Sequence, residues 1–227
     1  MQINHAGSAA GKAITGLYVV SPSAVPNPFK SDTVPKELSL EEIKDIINQF
    51  KNAALKVKAA GFDGVEIHGA HGYILNQFMS PITNKGSDEY GGNLLGRIKL
   101  HLDIIKEVRS SVGRDYPILL RFGASDYMEG GITIKDSILA AAEFKKAGLD
   151  MLDISGGFCR YSLAGHSFTP LSKAIKEAVS IPVIVAGGIT EVQAAEEILS
   201  DDKADLIGVA RAILKDSEWV KKATKSL

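Results

Sequence analysis

Short apolar runs alternate with longer amphipathic stretches along almost the whole chain, and this alternation permits few folds. The apolar runs lie at 64–67, 116–122, 151–154, 181–186 and 206–209, and residues 2–3 read as the end of another strand. Runs of this kind, separated by helices, predict a parallel sheet covered on both faces. Residues 40–60 are predicted helical: Ser39 is the N-cap, Glu42 completes a capping box and Gly61 stops the helix. Further helices are predicted over 94–111, 133–147, 170–179 and 190–199, with Thr133 and Thr190 as caps, and a terminal helix follows Arg211. The stretches 4–36 and 80–92 read as loops.

Two architectures fit such a pattern. A doubly wound open sheet commonly carries a glycine fingerprint after its first strand and binds its ligand at one switch point. Here polar residues or glycine follow every strand instead: Gln2, His68, Arg121, Ser155, Gly187 and Arg211. In a β/α barrel all such positions converge on the C-terminal face, where the chemistry sits. The expected fold is therefore an α/β (β/α)8-type TIM barrel, forming a single domain over residues 1–227. It is incomplete, because about six strands are counted where a closed barrel needs eight. Unpaired strand edges then call for a covering partner, either a second copy in a homo-oligomer or a complementing chain.

Charge and composition remove several function classes. Lys and Arg total 26 against 27 Asp and Glu, a formal net charge of -1, so no electrostatic footprint for nucleic acid or an anionic membrane is present. The single cysteine, Cys159, excludes disulfide frameworks and cysteine-ligated metal clusters within the chain. The opening MQINHAGSAAG lacks the basic and apolar regions of a signal peptide. No apolar run approaches the roughly 18 residues that span a bilayer. The expected location is the cytoplasm.

Two stretches carry chemistry. VIVAGGIT (183–190) ends a strand in Gly187 and Gly188, and IGVARAI (207–213) places Arg211 at the end of the next. Glycines let a phosphate approach backbone N–H groups, and a guanidinium fork can grip the same phosphate. Such a cradle suits flavin mononucleotide and many phosphorylated metabolites. HGAHGY (68–73) follows a strand directly and presents His68 and His71 with Tyr73 beyond. Two imidazoles three residues apart can donate to one developing oxyanion, and a nearby tyrosine can deliver a proton. A metal would need a third ligand. Glu66, Asp63, Asp88 and Glu89 are available, but no recognised spacing connects them, and no metal is expected.

Taken together, QINHAG (2–7), AAGFDGVEIHGAHGYILNQFMSPITN (59–84), SDEYGGNLLGR (87–97), the Arg of LLRF (119–122), AGG (186–188) and GVAR (208–211) resemble the Old Yellow Enzyme family of flavin-dependent ene-reductases, the NADH:flavin oxidoreductases. The resemblance implies an eight-stranded barrel holding FMN without a covalent bond. It assigns Gln2 to the pyrimidine edge of the flavin, Arg121 to its N1 and O2 region, and Gly187, Gly188 and Arg211 to the ribityl phosphate. His68 and His71 would bind the carbonyl oxygen of an α,β-unsaturated substrate, and Tyr73 would be the proton donor. NADH or NADPH would be the hydride source.

The chain departs from the family pattern in places. It starts where the family's third strand ends, so strands 3 to 8 are expected. Ser8, Gly86 and Gly96 stand where the family usually has Arg, Arg and Asn. A catalytically inactive barrel remnant with weak or no flavin binding is therefore the alternative function. A lyase or isomerase acting on a sugar phosphate is a third, against which Gln2 and Arg121 argue. Asp88, Tyr90, Gly91 and Gly92 are expected to form a structural turn, Arg97 an ion pair, and Trp219 an anchor for the terminal helix. Cys159, Arg160 and His166 lie in a loop that could reach the substrate.

Overall fold

The computed structural model describes residues 1–11, 13, 16–29, 33–158, 168–223 and 225. Chain order runs β1 (Gln2–Ile3), β2 (Val20–Ser21), β3 (Lys36–Glu37), α1 (Leu40–Ala59), β4 (Val65–Gly69), α2 (Ile74–Met79), α3 (Leu94–Val112) and β5 (Ile118–Gly123). It continues with α4 (Ile134–Lys146), β6 (Met151–Ser155), α5 (Thr169–Lys176), β7 (Val183–Ala186), α6 (Val192–Ser200), β8 (Leu206–Gly208), α7 (Arg211–Lys215) and α8 (Trp219–Ala223).

Six of the strands form one sheet in the order β1-β4-β5-β6-β7-β8. Every pairing in it is parallel. A doubly wound sheet reverses its strand order at the switch point. Here spatial order follows chain order throughout, which is the winding of a β/α barrel, and β1 and β8 each have a single strand neighbour among the described residues. The protein is a partial barrel.

Successive side chains on a strand face opposite sides, and here the two sides differ in chemistry. Val65, Ile67, Ile118, Leu120, Phe122, Leu152, Ile154, Val183 and Val185 are buried and form one core with Ile98, Ile104, Ile105 and Val108 of α3 and Phe144 of α4. The alternate positions carry Glu66, His68, Arg121, Asp153 and Ser155, the inner face of the barrel. The capping box predicted at Ser39 is formed with Glu42, and the predicted cap Thr133 is also a capping box, with Asp136 as its reciprocal partner.

Three local differences from the sequence reading have physical reasons. Residues 74–79 form a helix, α2, whose side chains are all buried. A six-residue helix with no solvent-exposed face has no amphipathic period to read. The paired strands β2 and β3 are two residues each, too short to show alternation. Helix α6 starts at Val192 with Glu191 at the N-cap position and no side-chain capping bond, so Thr190 is not the cap.

His101 of α3 is 1% exposed and stacks on Phe144 at 5.2 Å between ring centroids. Among the described residues neither ring nitrogen has a hydrogen-bond partner. Burial pushes its pKa down to about 3. Its folded pKa thus lies below the unfolded value, so between pH 6.5 and 3 the unfolded chain takes up a proton that the folded chain refuses. Stability falls as pH drops through that window. His101→Leu is expected to stabilise the protein by roughly 1–3 kcal/mol at pH 7 and to flatten the acid limb. Urea unfolding at pH 7 and pH 5 checks both; an unchanged acid limb contradicts the assignment.

Candidate active site

At the C-terminal ends of the strands a cavity of about 510 Å³ is lined by Gln2, His68, His71, Arg121, Gly187, Gly188 and Arg211, among others. Gln2 belongs to one edge of the sheet and Arg211 follows the strand at the other. The two edges reach a single cavity because the sheet curls. All the predicted residues except Tyr73 line it, and the Tyr73 ring packs edge-on to that of His68 at 5.0 Å between centroids.

The histidine end is buried and closely bonded. His68 lies near the end of β4, in register with Arg121 of β5. Its Nδ1 accepts from the Ala70 N–H at 3.3 Å, and its Nε2 lies 3.1 Å from His71 Nδ1. His71 Nε2 in turn lies 2.8 Å from Ser155 Oγ on β6. His71 holds a backbone φ of 57°, an uncommon conformation for a side-chain-bearing residue. Burial, helped by the positive charge of Arg121, lowers the His68 pKa to about 4. At neutral pH its ring is uncharged.

Arg121 occupies the middle of the rim. Its Nη1 pairs with Asp153 Oδ2 at 2.7 Å, and Asp153 Oδ1 is buried with no hydrogen-bond partner among the described residues. Burial raises the Asp153 pKa, Glu66 raises it further and Arg121 opposes the shift. Glu66 Oε2 accepts from Gln2 Nε2 at 2.5 Å. Gln2, Glu66, Arg121 and Asp153 therefore form one polar belt across β1, β4, β5 and β6.

The opposite end is a glycine turn with a cation beside it. Gly187 and Gly188 have φ of 141° and 71°. A Cβ on Gly187 would come within 2.6 Å of the Phe168 ring, so no other residue fits there. Arg211 opens α7, is exposed and makes no ion pair among the described residues. Trp219 Nε1 donates to Thr190 O at 2.8 Å and ties α8 to the same turn. The cavity volume lies within the range of about 300–1,000 Å³ usual for small-molecule sites. A guanidinium with no ion pair among the described residues beside a glycine turn, with an amide and a second guanidinium farther along the rim, matches the donor needs of a nucleotide-like flavin. Among the described residues no three His, Cys, Asp or Glu side chains group as metal ligands.

The profile of the NADH:flavin oxidoreductase / NADH oxidase family matches residues 1–227. The chain belongs to this family. It is 42% identical over 234 residues to an NADH oxidase of Thermoanaerobacter brockii, covering 98% of this chain and 36% of that protein. It is 41% identical over 231 residues to an NADPH dehydrogenase of Listeria monocytogenes, covering 100% of this chain and 66% of the relative. A solved 2-naphthoyl-CoA reductase in complex with 2-naphthoyl-CoA superposes with a TM-score of 0.92 at 26% identity, over 99% of this chain and 37% of that one. Histamine dehydrogenase from Rhizobium sp. 4-9 gives a TM-score of 0.85 at 27% identity, over 99% and 34%. The chain thus spans between about a third and two thirds of the lengths of these relatives. No helix among the described residues is long and apolar enough to cross a membrane.

Within this member of the flavin oxidoreductase family, several residues that shape the rim escaped the sequence reading. Asp126, fully buried, accepts from Asn76 Nδ2 (3.3 Å), Ser80 Oγ (2.7 Å), Ile132 N–H (2.9 Å) and Phe158 N–H (2.8 Å). These donors come from the segments after β4, β5 and β6. A Cβ on Gly157 would lie 2.1 Å from Asp126 Oδ1, so only glycine lets that carboxylate in. Arg97 binds the carbonyls of Met79 (2.8 Å) and Gly92 (2.7 Å) and has no ion pair among the described residues, contrary to expectation. Asp88 Oδ1 accepts from Tyr90 N–H at 3.0 Å, a turn closed by its own side chain. Cys159, Arg160 and His166 lie outside the described residues. Replacing Asp126 with Ala leaves four buried donors unmet and is expected to cost roughly 3–5 kcal/mol. Urea denaturation of the two proteins measures this; a loss under 1 kcal/mol is the contrary result.

Proposed function

We propose that the rim holds FMN and that the protein catalyses NADH- or NADPH-dependent reduction of the C=C bond of α,β-unsaturated carbonyl compounds. One observation carries this reading: Gln2 and Arg211, from opposite ends of the sheet, meet His68, His71 and Arg121 at one cavity. Gly187, Gly188 and Arg211 hold the phosphate. Gln2 and Arg121 face the pyrimidine edge, where a fixed positive charge favours an electron-rich ring. The chemistry supplied by FMN, when bound, is hydride transfer between a nicotinamide and the substrate.

The chain's own residues do the rest. His68 and His71 donate to the carbonyl oxygen, on which negative charge grows as hydride arrives at the β carbon. Preorganised donors of this kind typically lower a barrier by about 2.7–4 kcal/mol each. Tyr73, against the His68 ring, delivers the proton to the α carbon. The setting is the cytoplasm, where a lone Cys159 stays reduced. A second reading, an inactive partial barrel with weak or no flavin binding, draws support from the single strand neighbour that β1 and β8 each have among the described residues. A second copy or a complementing chain pairing those edges would close the site.

The test is spectroscopic and kinetic. The purified chain, reconstituted with FMN, is expected to lose its visible flavin absorbance with NADPH and regain it with cyclohexenone under anaerobic conditions. Tyr73→Phe should slow the second phase by about 10²- to 10⁴-fold. A protein that takes up no FMN, or is bleached but not recoloured by the enone, contradicts the proposal.

A further inference from the structure

The hydrogen bonds around the histidine pair determine where its protons sit. The Ala70 N–H can only donate, so the atom it reaches, His68 Nδ1, is an acceptor, and the neutral His68 ring carries its proton on Nε2. That proton faces His71 Nδ1 at 3.1 Å, which must then accept. His71 therefore also carries its proton on Nε2, aimed at Ser155 Oγ at 2.8 Å. Running the string the other way, with Ser155 donating to His71, would set two N–H protons face to face between the rings. Ser155, 1% exposed at the end of β6, is the terminal acceptor of the string.

We propose that Ser155 is a positioning residue: as the terminal acceptor of a string whose Nε2–H tautomers are set from the Ala70 end, it holds the His71 ring so that the pair presents N–H donors and not lone pairs to a carbonyl oxygen. This rests on the reading of His68 and His71 as the substrate's donor pair. An uncharged imidazole has one N–H and one lone pair, so the tautomer and ring face decide whether a carbonyl oxygen is attracted or repelled. A substrate oxygen entering beside the pair would take over from Ser155 and from His71 Nδ1 as acceptor, with no proton having to move between ring nitrogens. Ser155 thus does not touch the reacting atoms; it acts through His71.

The direct test is a long-range proton–nitrogen NMR spectrum of the full chain labelled with ¹⁵N-histidine, recorded at pH 7 without substrate. Both His68 and His71 are expected as Nε2–H tautomers. Ser155→Ala and Ser155→Cys should leave both tautomers in place but shift the His71 Nε2–H resonance and speed its exchange with water, and Ser155→Thr, which keeps a hydroxyl, should restore the wild-type signal. In turnover the Ala and Cys variants should raise KM for cyclohexenone about tenfold, with Thr recovering most of the loss. A wild-type His71 protonated on Nδ1, or Ala and Cys variants with an unaltered His71 signal, overturns the proposal. The wild-type spectrum decides even where a variant does not fold. Loss of enone reduction with intact Nε2–H signals would count against the proposed function and leave the tautomer assignment standing.

Discussion

The carboxylate of Asp126 is the constraint on which the rim depends. It sits fully buried at the meeting point of three strand-to-helix segments and accepts from each of them. Through Asn76, whose Oδ1 receives the Gly72 N–H at 2.7 Å, it fixes the turn that carries His71. Through the Phe158 N–H it fixes the segment just beyond Ser155, whose Gly156 carbonyl accepts from the His71 N–H at 3.2 Å. Buried charge is tolerated only when its lone pairs are occupied, so the carboxylate imposes one arrangement on three segments at once. The unusual backbone of His71 persists because its surroundings over-determine it.

Beneath the rim, the division of labour between strand faces explains how one sheet supports both stability and chemistry. The helix-facing side is wholly apolar and packs against α3 and α4. The inner side sets Gln2 and Glu66 in one register row, His68, Arg121 and Asp153 in the next, and Ser155 beyond them. Register makes this possible: His68 pairs with Arg121 and Arg121 with Asp153, so residues more than 80 positions apart in sequence stand at one height. The charge of Arg121 reaches both neighbours, helping keep His68 neutral and opposing the rise in the Asp153 pKa.

Much of this was legible in the sequence. Apolar strands between capped helices implied the parallel sheet, and Ser39 and Thr133 cap as read. The polar residues ending the strands, Gln2, His68, Arg121 and Arg211, do share one cavity. What escaped depends on three-dimensional neighbours. Asp126 lies in a glycine-containing loop, where an aspartate is ordinarily a solvated turn former, and nothing local reveals donors arriving from residues 76, 80 and 158. Ser155 was read only as a polar strand end, because its partner His71 lies 84 residues away. Arg97 satisfies backbone carbonyls exposed where α2 and the following turn end, a demand visible only after the chain folds. Helix α2 was hidden because it has no exposed face: its polar side chains, Asn76 and Gln77, are buried with the apolar ones.

The most direct measurement is a comparison of FMN with riboflavin, which lacks the phosphate, by flavin fluorescence quenching on the full chain. If the glycine turn and Arg211 grip a phosphate at the rim, FMN binds at least about tenfold more tightly than riboflavin, and Arg211→Ala erases most of that gap. Equal affinities for the two flavins, or a gap indifferent to Arg211, would contradict the convergence of the two sheet edges on one flavin site.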